Sequence, residues 1–227
     1  MDGLDRTRAA LIADDDEYFR MALRTILRDR LSLSAVIETE SFDAAIERLS
    51  ARDDITLALF DLAMPGMVSP ASLKTVRECF PEVRVAVVSA SQTRRDILCA
   101  LEAGVHGYVP KGLGVAELAR ALEAVCSGMI YVPPSLADLM PDEEAAAVSV
   151  LPAGERDVDD LDQLSNRQRE VLRLLVEGQS NKEMARSLGL SPGTVKFHLA
   201  ALFRHLGVAN RVEAAAAGAR LLVREAG

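Results

Sequence analysis

Cysteine is scarce: Cys79, Cys99 and Cys126 are all that 227 residues contain. They are odd in number and widely spaced, which matches neither a disulfide framework nor a zinc site and fits a reducing cytosol. Their apolar helical neighbours predict that all three lie in the core. Histidine is equally scarce, at three. His106, His198 and His205 form no metal-ligating set, and no Ser-His-Asp or Cys-His arrangement accompanies them. No apolar run approaches the ~20 residues that span a bilayer, so no membrane partner is expected. The first residues, Met1-Asp2-Gly3-Leu4-Asp5-Arg6, lack a basic segment followed by an apolar one, so no signal peptide is expected and the cytoplasm is the expected location. An excess of positive charge is also missing. There are 34 acidic against 26 basic residues, a net charge of -8, which taken whole argues against nucleic acid as a partner. What is present is apolar content of 49% beside 26% charged residues. That excludes a mostly disordered chain and allows a sizeable core. The length suits two small domains or one large one.

The charge is unevenly spread. Residues 1–132 hold 15 basic and 20 acidic residues, and residues 133–163 hold 1 and 9. Residues 164–227 hold 10 and 5. A basic C-terminal part is thus masked by acids elsewhere, and such asymmetry hints at a nucleic-acid-binding module. Residues 133–163, with Pro, Gly and many acids and no long apolar periodicity, read as a linker.

Residues 6–132 alternate strand and helix five times. The runs Ala9–Ala13, Ser34–Thr39, Leu57–Phe60, Val83–Val88 and Gly107–Pro110 read as strands. Tyr18 to Leu31, Phe42 to Leu49, Leu73 to Phe80, Ile97 to Leu101 and Val115 to Val125 show helical spacing. Buried runs with short alternating units imply a parallel sheet covered on both faces. In such sheets ligands sit at the carboxyl ends of the strands. The residues at those ends are Asp14 and Asp15, Asp61, Ser89 and Lys111. Taken singly they have ordinary explanations, since an Asp14-Asp15-Asp16 run suits a helix N-terminus. Together they place three carboxylates, a hydroxyl and an ammonium in one pocket. Clustered carboxylates need a cation, and oxygen ligands suit Mg²⁺. An aspartate is a nucleophile towards phosphorus. The set points to phosphoryl transfer to Asp61.

Asp14-Asp15, Asp61 with Met64-Pro65-Gly66, Ser89 and Gly107-Tyr108-Val109-Pro110-Lys111 resemble the receiver domain of two-component response regulators. The resemblance implies a (βα)5 flavodoxin-like fold with Asp61 as phosphoacceptor. It implies Mg²⁺ held by Asp14, Asp15, Asp61 and the backbone carbonyl of Ala63, and phosphoryl contacts from Ser89 and Lys111. Tyr108 matches the family's aromatic switch position. Ser69-Pro70 departs from the family pattern, and its own chemistry predicts an N-cap and a first helical position. Asp16 adds charge with no role in the motif.

Residues 164–227 carry three marked helix starts. Ser165-Asn-Arg-Gln168 and Ser180-Asn-Lys-Glu183 are capping boxes, and Ser191-Pro192 is an N-cap followed by proline. Gly178 and Gly189 suit helix ends, and a fourth helix begins at Arg211. The spacing is that of a helix-turn-helix within an all-α four-helix domain. At ~100° per residue, Val195, Leu199, Leu202 and Leu206 face a core. Phe197, Ala200 and Arg204 lie opposite, flanked by Thr194 and Lys196. An exposed Phe beside small and basic residues suits a helix that enters a DNA groove. The alternative is that Phe197 packs on a neighbouring domain. The same segments, with Leu206-Gly-Val-Ala-Asn-Arg211, resemble the LuxR-type helix-turn-helix. With the receiver, that makes the NarL/FixJ family. The resemblance implies phosphate contacts from Asn181, Thr194, His198 and Arg211, DNA contact by Lys196, and dimerisation through the last helix. Ala200 stands where some members carry a base-reading side chain, which predicts thin direct readout and dependence on DNA shape.

The expected function is therefore a transcriptional regulator, not an enzyme. A sensor histidine kinase phosphorylates Asp61, switching homodimerisation and binding of double-stranded DNA. Two rivals are a receiver-like regulator controlled by protein binding alone and a Mg²⁺-dependent phosphohydrolase. Phosphohydrolases of the haloacid-dehalogenase type need a second Asp two residues after the nucleophile, and here that residue is Ala63.

Overall fold

A computed structural model describes residues 8–31, 33–137 and 164–225. They form two compact units. Most of the expected acidic linker, from residue 138 to 163, lies outside the described residues.

The first unit alternates β1 (Ala9–Ala13), α1 (Glu17–Leu31), β2 (Ala35–Thr39), α2 (Phe42–Ala51), β3 (Ile55–Phe60), α3 (Leu73–Cys79), β4 (Arg84–Ser89), α4 (Arg94–Glu102), β5 (Gly107–Pro110) and α5 (Val115–Ser127). All strand pairs are parallel, in the order β2-β1-β3-β4-β5. This is the flavodoxin-like order, whose ligand crevice opens at the carboxyl ends of β1 and β3. The apolar runs are strands because both sides of each are covered. Ile12, Leu57, Leu59, Val88 and Val109 pack with Leu23 and Leu27 of α1 and Leu122 and Val125 of α5. Alternate residues turn to the other face; Phe60 meets the ring of Phe42 on α2 at 5.8 Å.

Local chemistry sets the helix starts. Asp16 Oδ1 accepts from the N–H groups of Tyr18 and Phe19 at 2.9 and 3.1 Å. The third acid of the run is thus the cap of α1. Ser69 is an N-cap and Pro70 the first helical position, as expected, but the element they start is a 3-10 turn, Pro70–Ser72, leading into α3, and the Ser69 side chain makes no cap bond. The Ser72 N–H donates to the Ser69 carbonyl at 3.0 Å, so the backbone oxygen takes the donor expected for the hydroxyl. The cysteines also differ from expectation: Cys79 is exposed and Cys99 and Cys126 are only partly buried. Cys126 nonetheless packs against the core cluster.

After α5 the chain returns along β5. Tyr131 forms a parallel bridge with Gly107, the Tyr108 N–H donates to the Tyr131 carbonyl at 2.9 Å, and the Tyr131 N–H donates to the His106 carbonyl at 3.0 Å. A 3-10 turn at Pro134–Ala137 follows. The edge of β5 is therefore paired, by a residue that lies just inside the expected boundary at 132. The approach is tight. A Cβ on Gly107 would lie 2.7 Å from Val125 Cγ2 and 3.2 Å from Tyr131 Cβ. Before β5, His106 Nδ1 accepts from the Val85 N–H at 3.0 Å. Burial first, then the nearby Arg77 and Arg84 guanidinium groups, lower the His106 pKa.

The second unit comprises α6 (Asn166–Val176), α7 (Asn181–Leu188), α8 (Pro192–His205) and α9 (Arg211–Glu225). Both capping boxes form, at Ser165/Gln168 and Ser180/Glu183. Gly189 closes α7 at φ 66, a left-handed conformation that glycine adopts without a Cβ clash. Val195, Leu199, Leu202 and Leu206 pack with Val171, Leu172, Leu175, Met184 and Leu221, as the helical phase predicts. No helix among the described residues is long and apolar enough to cross a membrane.

Two outcomes follow from the β5 edge. Gly107→Ala is expected to destabilise the receiver unit by about 1–3 kcal/mol through overpacking, read by urea unfolding. Val125→Ala in the same chain should restore part of that loss. No change in the single variant would contradict the tight approach. For His106, the folded pKa lies below the unfolded value of about 6.5. Stability is therefore full above that value and falls as pH drops through the window below it. His106→Gln, whose side-chain carbonyl still accepts a hydrogen bond, should flatten the stability profile below about pH 6.5; an unchanged slope would contradict the assignment.

Candidate functional site

Asp14, Asp61 and Lys111 each follow directly on a strand. Asp14 follows β1 and donates its N–H to Thr39 at 3.0 Å. Asp61 follows β3 and donates its N–H to Ala13 at 2.8 Å; Lys111 follows β5 and donates its N–H to Ser89 at 2.8 Å. The ladder thus continues one step beyond the strands and brings these side chains to one edge. Carboxylate oxygens of Asp14, Asp15 and Asp61 lie within 4.8 Å of one another. Asp14 and Asp61 are buried and Asp15 is exposed.

Lys111 closes the group. Its Nζ lies 2.8 Å from Asp14 Oδ2 and 3.3 Å from Asp61 Oδ2, and donates to Asp14 Oδ1 at 2.9 Å. The ammonium also stands 4.8 Å over the Phe19 ring, a cation–π distance. Pro110 does not divert it. Burial alone would lower the Lys111 pKa, but the Asp14 and Asp61 carboxylates outweigh burial and raise it. Burial raises the Asp14 pKa, against the opposing bond to Lys111. Charged oxygen ligands held together at a desolvation cost fit a hard divalent cation such as Mg²⁺. Asp61 Oδ1 accepts from the Leu62 N–H at 2.8 Å. Ala63 is exposed in the following turn, which Gly66 closes at φ 85.

Ser89 and Tyr108 meet at one loop. The Ser91 N–H donates to Ser89 Oγ at 3.3 Å, and the Tyr108 hydroxyl donates to the Ser91 carbonyl at 2.8 Å. Tyr108 is fully buried, and burial raises its pKa. Two contributors went unseen in the sequence. Phe19 read only as apolar helix face. Arg20 carried no signal at all, yet its Nη1 donates to the Asp14 carbonyl at 2.7 Å.

In the second unit the expected DNA-contacting residues fall into two sets. Lys196 and Arg204 are exposed and Ala200 is half-buried on α8. Asn181 and Arg211 are joined, Arg211 Nη1 donating to Asn181 Oδ1 at 3.2 Å and Nη2 to the Gln179 carbonyl. This ties the start of α7 to the start of α9. Thr194 shares a hydrogen bond with Ser191 at 2.9 Å and is buried, as is His198. Burial first, then Arg167, pushes the His198 pKa down to about 4, so its ring is neutral at pH 7. Phe197 corrects an expectation. It is 2% exposed, where the phase predicted an exposed aromatic, and its ring stands edge-on to His198 at 5.5 Å. Phase tells which side chains point away from one core; it does not tell whether that face meets water.

A doubly wound five-stranded unit with an acidic strand-end pocket, accompanied by a helix-turn-helix unit, defines the class of two-domain response regulators. Residues 10–123 match the family model for the response regulator receiver domain, and residues 162–217 match that for bacterial regulatory proteins of the luxR family. The chain is 33% identical over 212 residues to the glycerol metabolism activator of Pseudomonas putida, covering 90% of this chain and 91% of that protein. It is 32% identical over 206 residues to the nitrate/nitrite response regulator protein NarL of Escherichia coli K12, covering 90% and 92%. Among solved structures it resembles RcsB from Salmonella enterica serovar Typhimurium bound to promoter P1flhDC in the presence of phosphomimetic BeF3-. The TM-score is 0.53 at 25% identity, over 93% of this chain and 97% of that chain. The chain belongs to the NarL/FixJ family of response regulators.

The buried acids make one stability outcome specific. The Asp14 pKa is raised in the fold, so its ionised form costs stability at neutral pH and the cost fades as pH falls. Asp14→Asn should therefore raise the melting temperature of the receiver unit at pH 7, a gain expected where charge is clustered for function. A lower melting temperature would contradict it.

Proposed function

We propose that the protein is a transcriptional regulator switched by phosphorylation of Asp61, with a sensor histidine kinase as donor. An Asp61 carboxylate oxygen attacks the phosphorus of a phosphohistidine. The P–O bond forms as the P–N bond breaks, and the imidazole leaves with the bonding pair. Mg²⁺, held by Asp14, Asp15, Asp61 and the Ala63 carbonyl, would neutralise charge on the phosphoryl oxygens. Lys111 supplies a second positive charge to the same oxygens. The observation that carries this reading is the Lys111 ammonium shared by two buried carboxylates, one of them Asp61. A phosphoryl group of charge about −2 gives Lys111 a stronger partner than Asp14. Ser89 then meets the phosphoryl group, and Tyr108 follows through their shared link to Ser91.

The output is DNA binding by a homodimer in the cytoplasm. Residues 6–132 receive the phosphoryl group, 133–163 link, and 164–227 bind double-stranded DNA. Lys196 and Arg204 reach the groove or backbone, Ala200 and Phe197 line the same helix, and Asn181, Thr194, His198 and Arg211 serve the phosphates, for which the buried Thr194, Phe197 and His198 would first have to become exposed. The Ala63 position, without a second carboxylate, favours a regulator over a phosphohydrolase.

Acetyl phosphate with Mg²⁺ tests the acceptor. The parent chain should take up an acid-labile phosphoryl group and Asp61→Asn should take up none; uptake by the variant would overturn the assignment. For the output, Lys196→Ala should weaken binding across DNA sequences and reduce the salt slope by roughly one counterion. An unchanged slope would remove Lys196 from the interface.

A further inference from the structure

We propose that Arg20 is a positioning residue for the acidic pocket. It fixes the peptide between Asp14 and Asp15, so that both carboxylates are aimed at Asp61. The inference rests on the reading of that pocket as a Mg²⁺ and phosphoryl site.

Arg20 lies on α1 and is 6% exposed, rare for an arginine unless its donors are engaged. Its guanidinium joins three elements. Nη1 donates to the Asp14 carbonyl at 2.7 Å. Nη2 donates to Glu40 just beyond β2 at 2.9 Å, and Nε lies 3.6 Å from Glu38 on β2. The Asp14 carbonyl belongs to the first peptide after β1 and lies at a buried position. A buried peptide carbonyl needs a donor, and here a charged one provides it. That bond sets the plane of the peptide whose two flanking residues are Asp14 and Asp15. Rotation of this plane would swing one carboxylate out of the 4.8 Å cluster.

Charge and position make opposite predictions. By charge alone, a guanidinium beside the pocket opposes a divalent cation, so its removal should tighten Mg²⁺ binding. This is reinforced because Glu40 would lose its partner, whereas Glu38 keeps Arg24 at 2.7 Å. By position, removal should weaken Mg²⁺ binding. Groups that orient metal ligands typically contribute about 10–100-fold to affinity. That exceeds the benefit from one added net charge across a solvated edge.

The test is Mg²⁺ affinity of the full chain, by isothermal titration at a temperature where circular dichroism shows each variant folded. Arg20→Met keeps the apolar stem and removes the donors. It should raise the Mg²⁺ Kd about 10-fold or more. Arg20→Lys, able to donate to the Asp14 carbonyl, should recover part of the loss. Glu40→Gln, which leaves that bond in place, should stay close to the parent. A merely structural role would lower the melting temperature of Arg20→Met and leave Kd unchanged or tighter, which would overturn the proposal. A parent chain that binds no Mg²⁺ would overturn both this inference and the pocket reading beneath it. A parent that binds, with Arg20→Met binding equally, would overturn this inference alone.

Discussion

The Lys111 ammonium is the interaction on which the pocket depends. Parallel strands deliver Asp14, Asp15 and Asp61 to one edge, and like charges so close would otherwise repel. Lys111 stands between Asp14 and Asp61 at 2.8 and 3.3 Å, with Phe19 beneath the ammonium. Its position is in turn set by the ladder, through its N–H on the Ser89 carbonyl. The sheet therefore holds charge that it would not tolerate unpaired, and under the proposed function a phosphoryl group and a cation would relieve that tension.

The same edge connects chemistry to output. Ser89 ends β4, and its hydroxyl accepts from Ser91; Tyr108 on β5 donates to that residue's carbonyl. A change of partner at Ser89 is thus one residue from the buried ring of Tyr108. In the helical unit, the Arg211–Asn181 bond and the two capping boxes hold the helix starts. These are the ends whose N–H groups and positive dipoles suit phosphate.

The strand ends were legible because a parallel sheet leaves a plain signature: apolar runs ending in a polar residue. The capping boxes were legible because they are local, needing four residues and no tertiary partner. Arg20 was not, since its role depends on a carbonyl six residues away and on glutamates from another strand. Asp16 was read as surplus charge because the motif drew attention to its neighbours. Phe197 was left between an exposed and a packed reading because helical phase registers direction and not burial. The acidic net charge misled for a different reason: it averages an acidic pocket and linker with a basic helical unit.

Under the proposed function, the state of Asp61 sets the DNA affinity of the helical unit. Fluorescence anisotropy of the full chain on duplexes enriched from a random pool measures it directly, with Mg²⁺, with and without beryllofluoride. The DNA Kd is expected to fall about 5-fold or more on addition, a change abolished in Asp61→Asn. Equal affinity of the parent chain in both conditions would contradict it.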